Sequence, residues 1–349
     1  MSALGWGIDL AERGLVPEGI LRRAIRKMCG ERLRQTAGWD WEREQIETER
    51  FLEWMRAGPI AEETDAANAQ HYEVPAEFFE LVLGPRRKYS CCYYEAGVTS
   101  LADAEEKGLA LTCEHAELAD GQRILELGCG WGSLSLWMAE RYPHAEITGV
   151  SNSHSQRAFI EREAERRGLR NVRIVTEDVN RFEANGPFDR VVSVEMFEHL
   201  RNYEQMFARI ARWLKPGGKL MLHIFTVRGV PYPFETEGDA NWMGRYFFTG
   251  GIMPAEELPL RFQRDLQCLR QWKWSGEHYR KTAEGWLANL DWNNSRALEL
   301  LEKTYGRGEG RRWYFRWRIF FLAVAELFGY RRGSVWGVTH TLLERRGGA

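Results

Sequence analysis

Residues 123–133 read RILELGCGWGS and join an apolar run to a turn with three glycines. RILEL has the length and apolar character of a buried strand, and a helical pattern begins directly after the turn, at SLSLWMAERY (133–142). Glycine lets the backbone turn tightly and lets a ligand approach the main chain closely. Gly128, Gly130 and Gly132 therefore predict a strand, a ligand-binding turn and a helix in direct succession.

The same alternation of short apolar runs and helical segments continues through the middle of the chain. The next runs of strand length are EITGVS (146–151), VRIVTED (172–178), FDRVVSVE (188–195) and KLMLHIFT (219–226). Strands that alternate with helices at this rhythm predict a doubly wound parallel α/β sheet that is covered on both faces. Two later strands are predicted at QCLRQWKWS (267–275) and SVWGVTHTLLER (334–345).

The glycine turn leaves two ligand classes open, a dinucleotide or another nucleoside. The spacing is GxGxG, and Ser151 and Asn152 stand about 20 residues on, where NAD-binding proteins place a ribose-binding acid. Asp178 ends the third strand, where a side chain could meet an adenine edge. Glu126 and Asp178 could each simply cap a loop. Together with the turn, they favour a nucleoside ligand other than NAD.

The fourth strand ends in VVSVEMFEHL (191–200), which carries the ionisable residues Glu195, Glu198 and His199. Ligands of doubly wound sheets bind at the carboxyl ends of the strands, so this cluster is expected to face the site. Two carboxylates and an imidazole suit the binding of a cation and the removal of its proton. The alternative is that His199 caps the strand and the glutamates form ion pairs in solvent.

Composition and charge exclude several other functions. Lys plus Arg (48) nearly balance Asp plus Glu (50), so no basic field points to nucleic acid. The longest apolar stretch, IFFLAVAELFGY (319–330), is interrupted by Glu326 and is too short for stable membrane insertion. The six cysteines show no metal-ligand spacing, which predicts free thiols, no metal and a cytoplasmic location. Association as a homodimer is left open.

Several longer motifs resemble one family, the S-adenosylmethionine-dependent methyltransferases of the cyclopropane-fatty-acid synthase superfamily. ILELGCGWGS, VVSVEMFEHL and HYEVPAEFFELVLGPRRKYSCCYY (71–94) carry this resemblance. RYFFTGGIMP (245–254) and AVAELFGY (323–330) are similar to its coclaurine N-methyltransferase-like branch. The resemblance implies a Rossmann-like class I methyltransferase sheet with a helical cap. The implied division is an N-terminal helical cap (1–100), the cofactor-binding core (101–275), a helical cap insertion (276–330) and the last core strand (331–349).

The resemblance also implies S-adenosylmethionine as the cofactor. It assigns cofactor contacts to Gly128, Gly130, Gly132, Tyr89, Ser90, Asn152, Gln156 and Asp178. Each assignment has a plainer alternative, since Tyr89 could only pack and Asn152 could cap the helix that follows it. Ser151 and Asn152, which replace the usual acid, are also what this branch shows.

At the fourth strand, the resemblance implies methyl transfer to a nitrogen. Cyclopropane synthases carry a small residue before MFEH, whereas Glu195 stands there in this chain, as in the alkaloid N-methyltransferases. Because a protonated amine has no free lone pair, a carboxylate that attracts it and a base that deprotonates it would both be needed. We expect Glu195 to orient the amine, and Glu198 and His199 to bind it and remove its proton.

The implied acceptor is a small aromatic amine of the tetrahydroisoquinoline or phenethylamine type. The resemblance assigns the aromatic walls of its pocket to Tyr72, Trp317 and Phe320. Trp317 and Phe320 are three residues apart and share a helix face, which is equally the pattern of a core-packing stripe.

The alternative enzyme is a cyclopropane-fatty-acyl-phospholipid synthase, which uses S-adenosylmethionine and bicarbonate on unsaturated lipids. The positions that would contact bicarbonate match at Cys91, Glu198, His223 and Tyr279. Phe225, however, stands where those enzymes have a small aliphatic residue, and Glu195 would place a second negative charge beside the anion. A third interpretation, a binding module without activity, is disfavoured because no cofactor position is visibly lost.

Overall fold

The computed structural model describes residues 2–36, 38–62 and 74–347. The strands are β1 (Arg123–Leu127), β2 (Glu146–Ser151), β3 (Val172–Thr176), β4 (Phe188–Val194), β5 (Leu214–Val227), β6 (Tyr232–Pro233), β7 (Ile252–Met253), β8 (Leu266–Ser275) and β9 (Trp336–Arg345). Within the described residues, seven of these strands form one sheet in the order β3-β2-β1-β4-β5-β9-β8, and β6 pairs with β7. The predicted strands and the Rossmann-like sheet are therefore confirmed.

The direction of the strands differs from the prediction at one edge of the sheet. β3, β2, β1, β4 and β5 run parallel to their neighbours, as the alternation of strands and helices predicts. β9 is inserted between β5 and β8 and runs antiparallel to both. The sheet is thus mixed and not wholly parallel, because the chain reaches β9 from the opposite end, after a long helical segment.

Helices cover both faces of the sheet and build a cap at its carboxyl edge. They are α1 (Ala3–Glu12), α2 (Glu18–Thr36), α3 (Trp41–Ala57), α4 (Ala76–Val82), α5 (Leu101–His115), α6 (Ser133–Arg141), α7 (His154–Arg166), α8 (Tyr203–Trp213), α9 (Trp242–Tyr246), α10 (Gly276–Trp292), α11 (Asn294–Tyr305) and α12 (Gly310–Phe328). Short 3₁₀ turns lie at Phe197–His199, Asp239–Asn241, Leu258–Arg261 and Tyr330–Gly333. No helix among the described residues has the length and apolar character needed to cross a bilayer.

The N-terminal helices pack against the helices between β8 and β9. α12 contacts α1, α2, α10 and α11. Arg22 of α2 donates hydrogen bonds to Glu284 of α10 at 2.7 Å and to Glu326 of α12 at 2.8 Å. Glu326, the residue that interrupts the apolar run 319–330, therefore pairs with α2 across the cap. The predicted four-part division of the chain itself stays a prediction.

The central strands are buried on both faces. Ile124 and Leu125 of β1 and Val191 and Val192 of β4 are each completely inaccessible to solvent, although neighbouring side chains point to opposite faces. Helices on both sides account for this pattern and for the continuous apolar runs in the sequence. Polar groups at the carboxyl ends of these strands therefore stand at the edge of a rigid, dry layer.

Candidate active site

The glycine turn follows β1, and Gly130 and Gly132 have distinct roles in it. Gly128, Gly130 and Gly132 have φ angles of +76°, +51° and +78°, in the region that side chains rarely adopt. A Cβ atom on Gly132 would lie 2.7 Å from the Ile160 side chain, so this glycine allows α6 and α7 to pack closely. A Cβ atom on Gly130 would meet no protein atom within 4 Å. Gly130 therefore leaves its space to a ligand.

Two adjoining cavities meet at this turn. Gly128, Gly130, Gln156, Met196 and His199 line both of them. The β2 cavity continues along Ala61, Glu62, Leu127, Val150, Ser151, Asn152, Glu177, Val179, Phe182, Leu200, Thr249 and Gly250. The β4 cavity continues along Arg87, Lys88, Tyr89, Ser90, Leu109, Thr112, Glu126, Cys129, Trp131, Ser133, Leu134, Val194, Glu195, Phe225, Phe248, Tyr279, Trp286 and Phe320. Because five residues line both cavities, the two form one elongated space beside the glycine turn.

Three residues are predicted to contact the ribose and adenine of the cofactor. Asn152 and Gln156 line the β2 cavity, and Asp178 is the exception. Gln156 accepts a hydrogen bond from the Ser151 hydroxyl at 2.7 Å, beside Asn152 in the β2 cavity. Ser153, and not Asn152, caps α7, which removes the plainer alternative for Asn152.

The exception is Asp178, which lies outside the walls of both cavities. Its carboxylate accepts the backbone N–H of Asn180 at 2.6 Å, so it shapes the turn after β3. Glu177, which precedes it, lines the β2 cavity instead. The contact between Asp178 and the adenine therefore stays a prediction.

Glu126 is a buried acid in the wall of the β4 cavity, although the sequence left its role open. It is 2% exposed and accepts a hydrogen bond from the Ser135 hydroxyl. Burial raises the pKa of Glu126 to about 8, with the Ser135 hydrogen bond as the smaller, opposing effect. This carboxyl thus forms part of the site and does not cap an exposed loop.

Glu195 ends β4 in a conformation that is unusual for its residue type. Its φ angle is +47°, and such a backbone costs a non-glycine residue on the order of 1 kcal/mol. Its Oε1 accepts the Cys91 N–H at 2.9 Å, and its Oε2 accepts the Tyr279 hydroxyl at 2.6 Å. The Nε2 atom of His223 lies 3.2 Å from Oε1. Three separate parts of the chain therefore hold this one carboxylate.

The charge of Glu195 is set by opposing effects. Burial raises the pKa of Glu195, and the nearby Lys88 charge and the hydrogen bonds from Cys91 and Tyr279 lower it in part. Lys88, which is 2% exposed, donates to the Ser90 hydroxyl at 2.5 Å and to the Cys91 carbonyl at 2.8 Å. Sequence reasoning missed Lys88. Its position directly before Tyr89 and Ser90 was the available signal.

Glu198 and His199 take different positions, although they are adjacent in the sequence. Glu198 is fully buried outside the cavity walls, and its Oε1 accepts the Phe225 N–H at 2.7 Å. Burial, and then the charge of Glu195, raise the pKa of Glu198 well above its usual value. His199 lines both cavities and stacks on Phe248. The geometry thus supports the predicted role of His199 in the site but not Glu198 as a proton acceptor.

Several aromatic rings line the β4 cavity, but the predicted pair on α12 is split. Phe320 lines the β4 cavity together with Phe225, Phe248, Tyr279 and Trp286. Trp317 is fully buried behind this wall, with its ring centroid 5.0 Å from that of Phe78 and 5.1 Å from that of Phe247. Trp317 is therefore a core residue. Tyr72 lies outside the described residues.

Cys91 and His223 also lie behind the surface of the cavity. Both are completely buried, and both contact the Glu195 carboxylate. Burial raises the pKa of the Cys91 thiol and lowers the pKa of His223 well below its usual value, so both side chains are neutral. Their contribution is to hold Glu195.

Comparison with known proteins places this site in a family. Residues 61–335 match the model of the mycolic acid cyclopropane synthetase family. (S)-coclaurine N-methyltransferase of Thalictrum flavum subsp. glaucum is 34% identical over 96% of this chain and 94% of its own. The cyclopropane-fatty-acyl-phospholipid synthase of Escherichia coli K12 is 32% identical over 62% of this chain and 54% of its own.

The similarity extends to the three-dimensional structure. A crystal structure of coclaurine N-methyltransferase bound to N-methylheliamine and S-adenosylhomocysteine covers 99% of this chain and 100% of its own, with a TM-score of 0.95 and 34% identity. The similarity therefore includes the helical cap as well as the sheet. The chain belongs to the coclaurine N-methyltransferase branch of the cyclopropane synthase superfamily and is an S-adenosylmethionine-dependent methyltransferase.

Proposed function

We propose that this methyltransferase acts on the nitrogen of a small aromatic amine of the tetrahydroisoquinoline or phenethylamine type. One observation carries the proposal: the carboxylate of Glu195 is bound at the place where a cyclopropane synthase would hold bicarbonate. Cys91, His223 and Tyr279, three of the four residues that match bicarbonate contacts, all contact this carboxylate. The chain thus supplies its own anion.

The same arrangement disfavours the lipid alternative. Two unit charges 4 Å apart repel each other by about 4 kcal/mol at an effective dielectric constant of 20. A bicarbonate ion beside Glu195 would meet this repulsion and would find Cys91 and Tyr279 already engaged. A cationic amine, in contrast, would be attracted by the negative charge of Glu195. Glu195 therefore favours an amine over an alkene that needs bicarbonate.

The aromatic wall suits the rest of such an acceptor. Phe225, Phe248 and Phe320 line the β4 cavity on the side of Glu195. Aromatic faces attract cations and pack against aryl groups. An arylalkyl ammonium ion can therefore place its charge at Glu195 and its ring against these side chains.

The chemistry needs deprotonation and alignment. When bound, S-adenosylmethionine supplies the electrophilic methyl group, and Gly128 and Gly130 provide the backbone on which it would lie. Glu195 attracts the ammonium ion and accepts one proton, which frees the nitrogen lone pair. His199, in the wall of both cavities, is the second group that can bind the amine or accept its proton. Holding nitrogen and methyl group in line can supply roughly 7 to 11 kcal/mol of the barrier reduction.

Glu198 has a supporting role in this proposal. Because burial favours its neutral form, it is a poor proton acceptor at neutral pH. Its hydrogen bond from the Phe225 N–H joins the turn after β4 to β5. We infer that Glu198 fixes the turn that presents Glu195 and His199.

Two further parts of the proposal concern the segments that form the acceptor pocket and the location of the protein in the cell. We infer that the N-terminal segment (1–100) and the insertion (276–330) together form the acceptor side, because Tyr89 of the first and Tyr279, Trp286 and Phe320 of the second line the β4 cavity. Free cysteines are consistent with a reducing, cytoplasmic compartment. Association as a homodimer stays a prediction.

A product screen tests the proposal. The protein is incubated with S-adenosylmethionine and, separately, with tetrahydroisoquinolines, phenethylamines and vesicles of unsaturated phospholipid, and the products are identified by mass spectrometry. We expect N-methylated amines and no cyclopropane lipids. Cyclopropanation without amine methylation would overturn the proposal.

A further inference from the structure

Glu12, the last residue of α1, is a buried acid that lies outside the walls of both cavities. It is 5% exposed, and its two carboxylate oxygens bind two different elements. Its Oε1 accepts a hydrogen bond at 2.9 Å from Nε1 of Trp242, the first residue of α9. Its Oε2 accepts a hydrogen bond at 3.0 Å from Nη2 of Arg316 in α12. One side chain of the N-terminal helix therefore joins α9 to α12.

The contact between Glu12 and α12 is an ion pair that is shielded from water. Arg316 is 9% exposed, and its guanidinium carbon lies 4.2 Å from the centre of the Tyr246 ring. The same Nη2 atom also donates to the Tyr246 hydroxyl at 3.3 Å. Because Tyr246 is the last residue of α9, Glu12 holds the start of this helix and Arg316 holds its end. A buried charge is costly without its partner, so both side chains depend on this arrangement.

α9 and α12 both carry aromatic rings of the β4 cavity. Phe247 and Phe248 follow α9 directly, and their N–H groups donate to the same carbonyl of that helix at 2.9 and 3.0 Å. Phe320 lies about one helical turn after Arg316 in α12. The rings of Phe247 and Phe320 stack with their centroids 4.3 Å apart. The two elements that Glu12 joins thus present Phe248 and Phe320, which line the cavity.

Phe248 also contacts a residue that the proposed function places at the amine. Its ring stacks on the ring of His199, with the centroids 5.7 Å apart and the planes 7° apart. A displacement of α9 would therefore alter both the aromatic wall and the support of His199. The glycine turn after β1 is built from other elements and would not move with α9.

We propose that Glu12 is a positioning residue that sets the fit of the acceptor pocket to the ring of the amine by joining α9 to α12. This inference rests on the proposed function, in which the ring of an aromatic amine packs against Phe248 and Phe320. Because Glu12 lies outside the cavity walls, it acts on the amine only through Trp242 and Arg316.

A second acid in α1 distinguishes this role from simple attachment of the helix. Asp9 lies about one turn before Glu12, and its Oδ1 accepts a hydrogen bond from Arg312 of α12 at 2.7 Å. The Asp9 side chain is 34% exposed. Within the described residues, its ion pairs are with Arg13 and Arg312, neither of which lies in α9. Asp9 therefore attaches α1 to α12, whereas Glu12 also reaches α9.

Kinetics with the aromatic amine test the proposal. Glu12→Gln keeps the size of the side chain and removes its charge, and we expect the KM for a tetrahydroisoquinoline or phenethylamine to rise roughly threefold to tenfold. kcat should change by less than about twofold, because contacts with the ring are alike in the ground state and the transition state. The affinity for S-adenosylmethionine, measured by calorimetry, should keep its wild-type value.

Trp242→Phe is the second variant, because it removes only the N–H that Glu12 accepts and leaves the ion pair with Arg316 in place. It should also raise the KM for the amine, and it decides the question if Glu12→Gln does not fold.

The matched control is Asp9→Asn, which makes the same change of charge one turn earlier in α1. This variant should keep the wild-type KM and kcat. A wild-type KM in either folded test variant, a loss confined to kcat, or an equal rise of KM in Asp9→Asn would overturn the proposed role of Glu12. Wild-type methylation of the amine would in each case leave the proposed function intact.

A second measurement does not depend on activity. NMR of protein labelled with ¹³C-histidine reports the ring protons of His199, which the loss of their signals in His199→Gln assigns. Because the Phe248 ring stacks on His199, Glu12→Gln should shift these signals, and Asp9→Asn should not. Unchanged His199 signals in Glu12→Gln would overturn the proposed role even if the wild type methylated no amine.

Discussion

The turns after β1 and β4 lie at the same edge of the sheet, but the first presents backbone atoms and the second presents a side chain. The turn after β1 uses glycines at positive φ, so the binding surface is the backbone itself. The turn after β4 places Glu195, a charged residue, at positive φ and holds its side chain with donors from distant segments. In the proposed function, the first turn binds the cofactor and the second selects the acceptor.

This difference explains why one fold accommodates both lipid and amine chemistry. A backbone surface tolerates few replacements, because a side chain there enters the ligand's space. A side chain at a strand end can be exchanged without changing the sheet. Replacement of a small residue by Glu195 fills an anion site from within the chain, and the cofactor turn is unaffected.

The largest expected effect comes from the backbone-built turn. Gly130→Val would place a branched side chain in the space left for the cofactor, and we expect binding of S-adenosylmethionine to weaken more than about 100-fold. The positive φ at this position would also strain the valine backbone by roughly 1 to 3 kcal/mol. Isothermal titration with S-adenosylmethionine measures this. Gly168→Val is the matched control, since Gly168 also has positive φ and open space but lies outside both cavities. Equal affinity in both variants would place the cofactor elsewhere.

The pH dependence is the next largest effect and concerns the turn after β4. A protonated Glu195 can neither attract the ammonium ion nor accept its proton, and burial raises the pKa of Glu195, so activity should require higher pH. We expect kcat/KM for the amine to rise with pH into the alkaline range, by up to about tenfold per pH unit. A monotonic fall above about pH 6.5, in protein shown to be folded, would contradict amine methylation.

A smaller effect is expected when one donor to Glu195 is removed. Tyr279→Phe deletes the hydroxyl that donates to its Oε2, and a hydrogen bond to a charged group is worth about 1.5 to 3 kcal/mol, or roughly tenfold or more in kcat/KM. Tyr314→Phe is the control, because its hydroxyl donates to Asp291 away from both cavities. If the two variants lost activity equally, the contact with Glu195 would have no special role.

The smallest effect is expected on stability. Glu195→Gly relieves the positive φ and removes a buried carboxylate, but it also leaves the Cys91 N–H and the Tyr279 hydroxyl without their partner. These effects oppose each other, so the free energy of unfolding should change by no more than about 1 kcal/mol. Urea denaturation at neutral pH measures it. A large loss of stability would mean that Glu195 is mainly structural.

Sequence reasoning was most successful where the signal is local. The strands and the glycine turn are visible because apolar runs and glycines report directly on backbone conformation. The antiparallel direction of β9 is not visible, because it depends on the route of the chain through α10 to α12. Trp317 and Phe320 share a helical period, but only packing against Phe78 of α4 and against Phe247, which follows α9, shows that Trp317 faces the core.

The carboxylate cluster shows the same limit within one motif. The position of the motif at a strand end predicts that Glu195, Glu198 and His199 all face the site. In the structure, the three side chains are buried to different extents. The burial of each side chain depends on β5 and on residues distant in sequence, such as Lys88 and Tyr279. The motif itself does not indicate which distant residues will surround it. Side chains that meet from separate segments therefore required the structure.

Chemical rescue of Glu195→Gly tests the central claim, that this carboxylate occupies an anion site and binds the amine, most directly. We expect the variant to bind S-adenosylmethionine normally and to lose about ten- to a hundredfold in kcat/KM for the amine, as one charge-assisted contact is removed. Formate or bicarbonate should partly restore amine methylation by occupying the vacated site between Cys91, His223 and Tyr279. Wild-type kcat/KM in the variant, or no response to either anion over a concentration series, would contradict the claim.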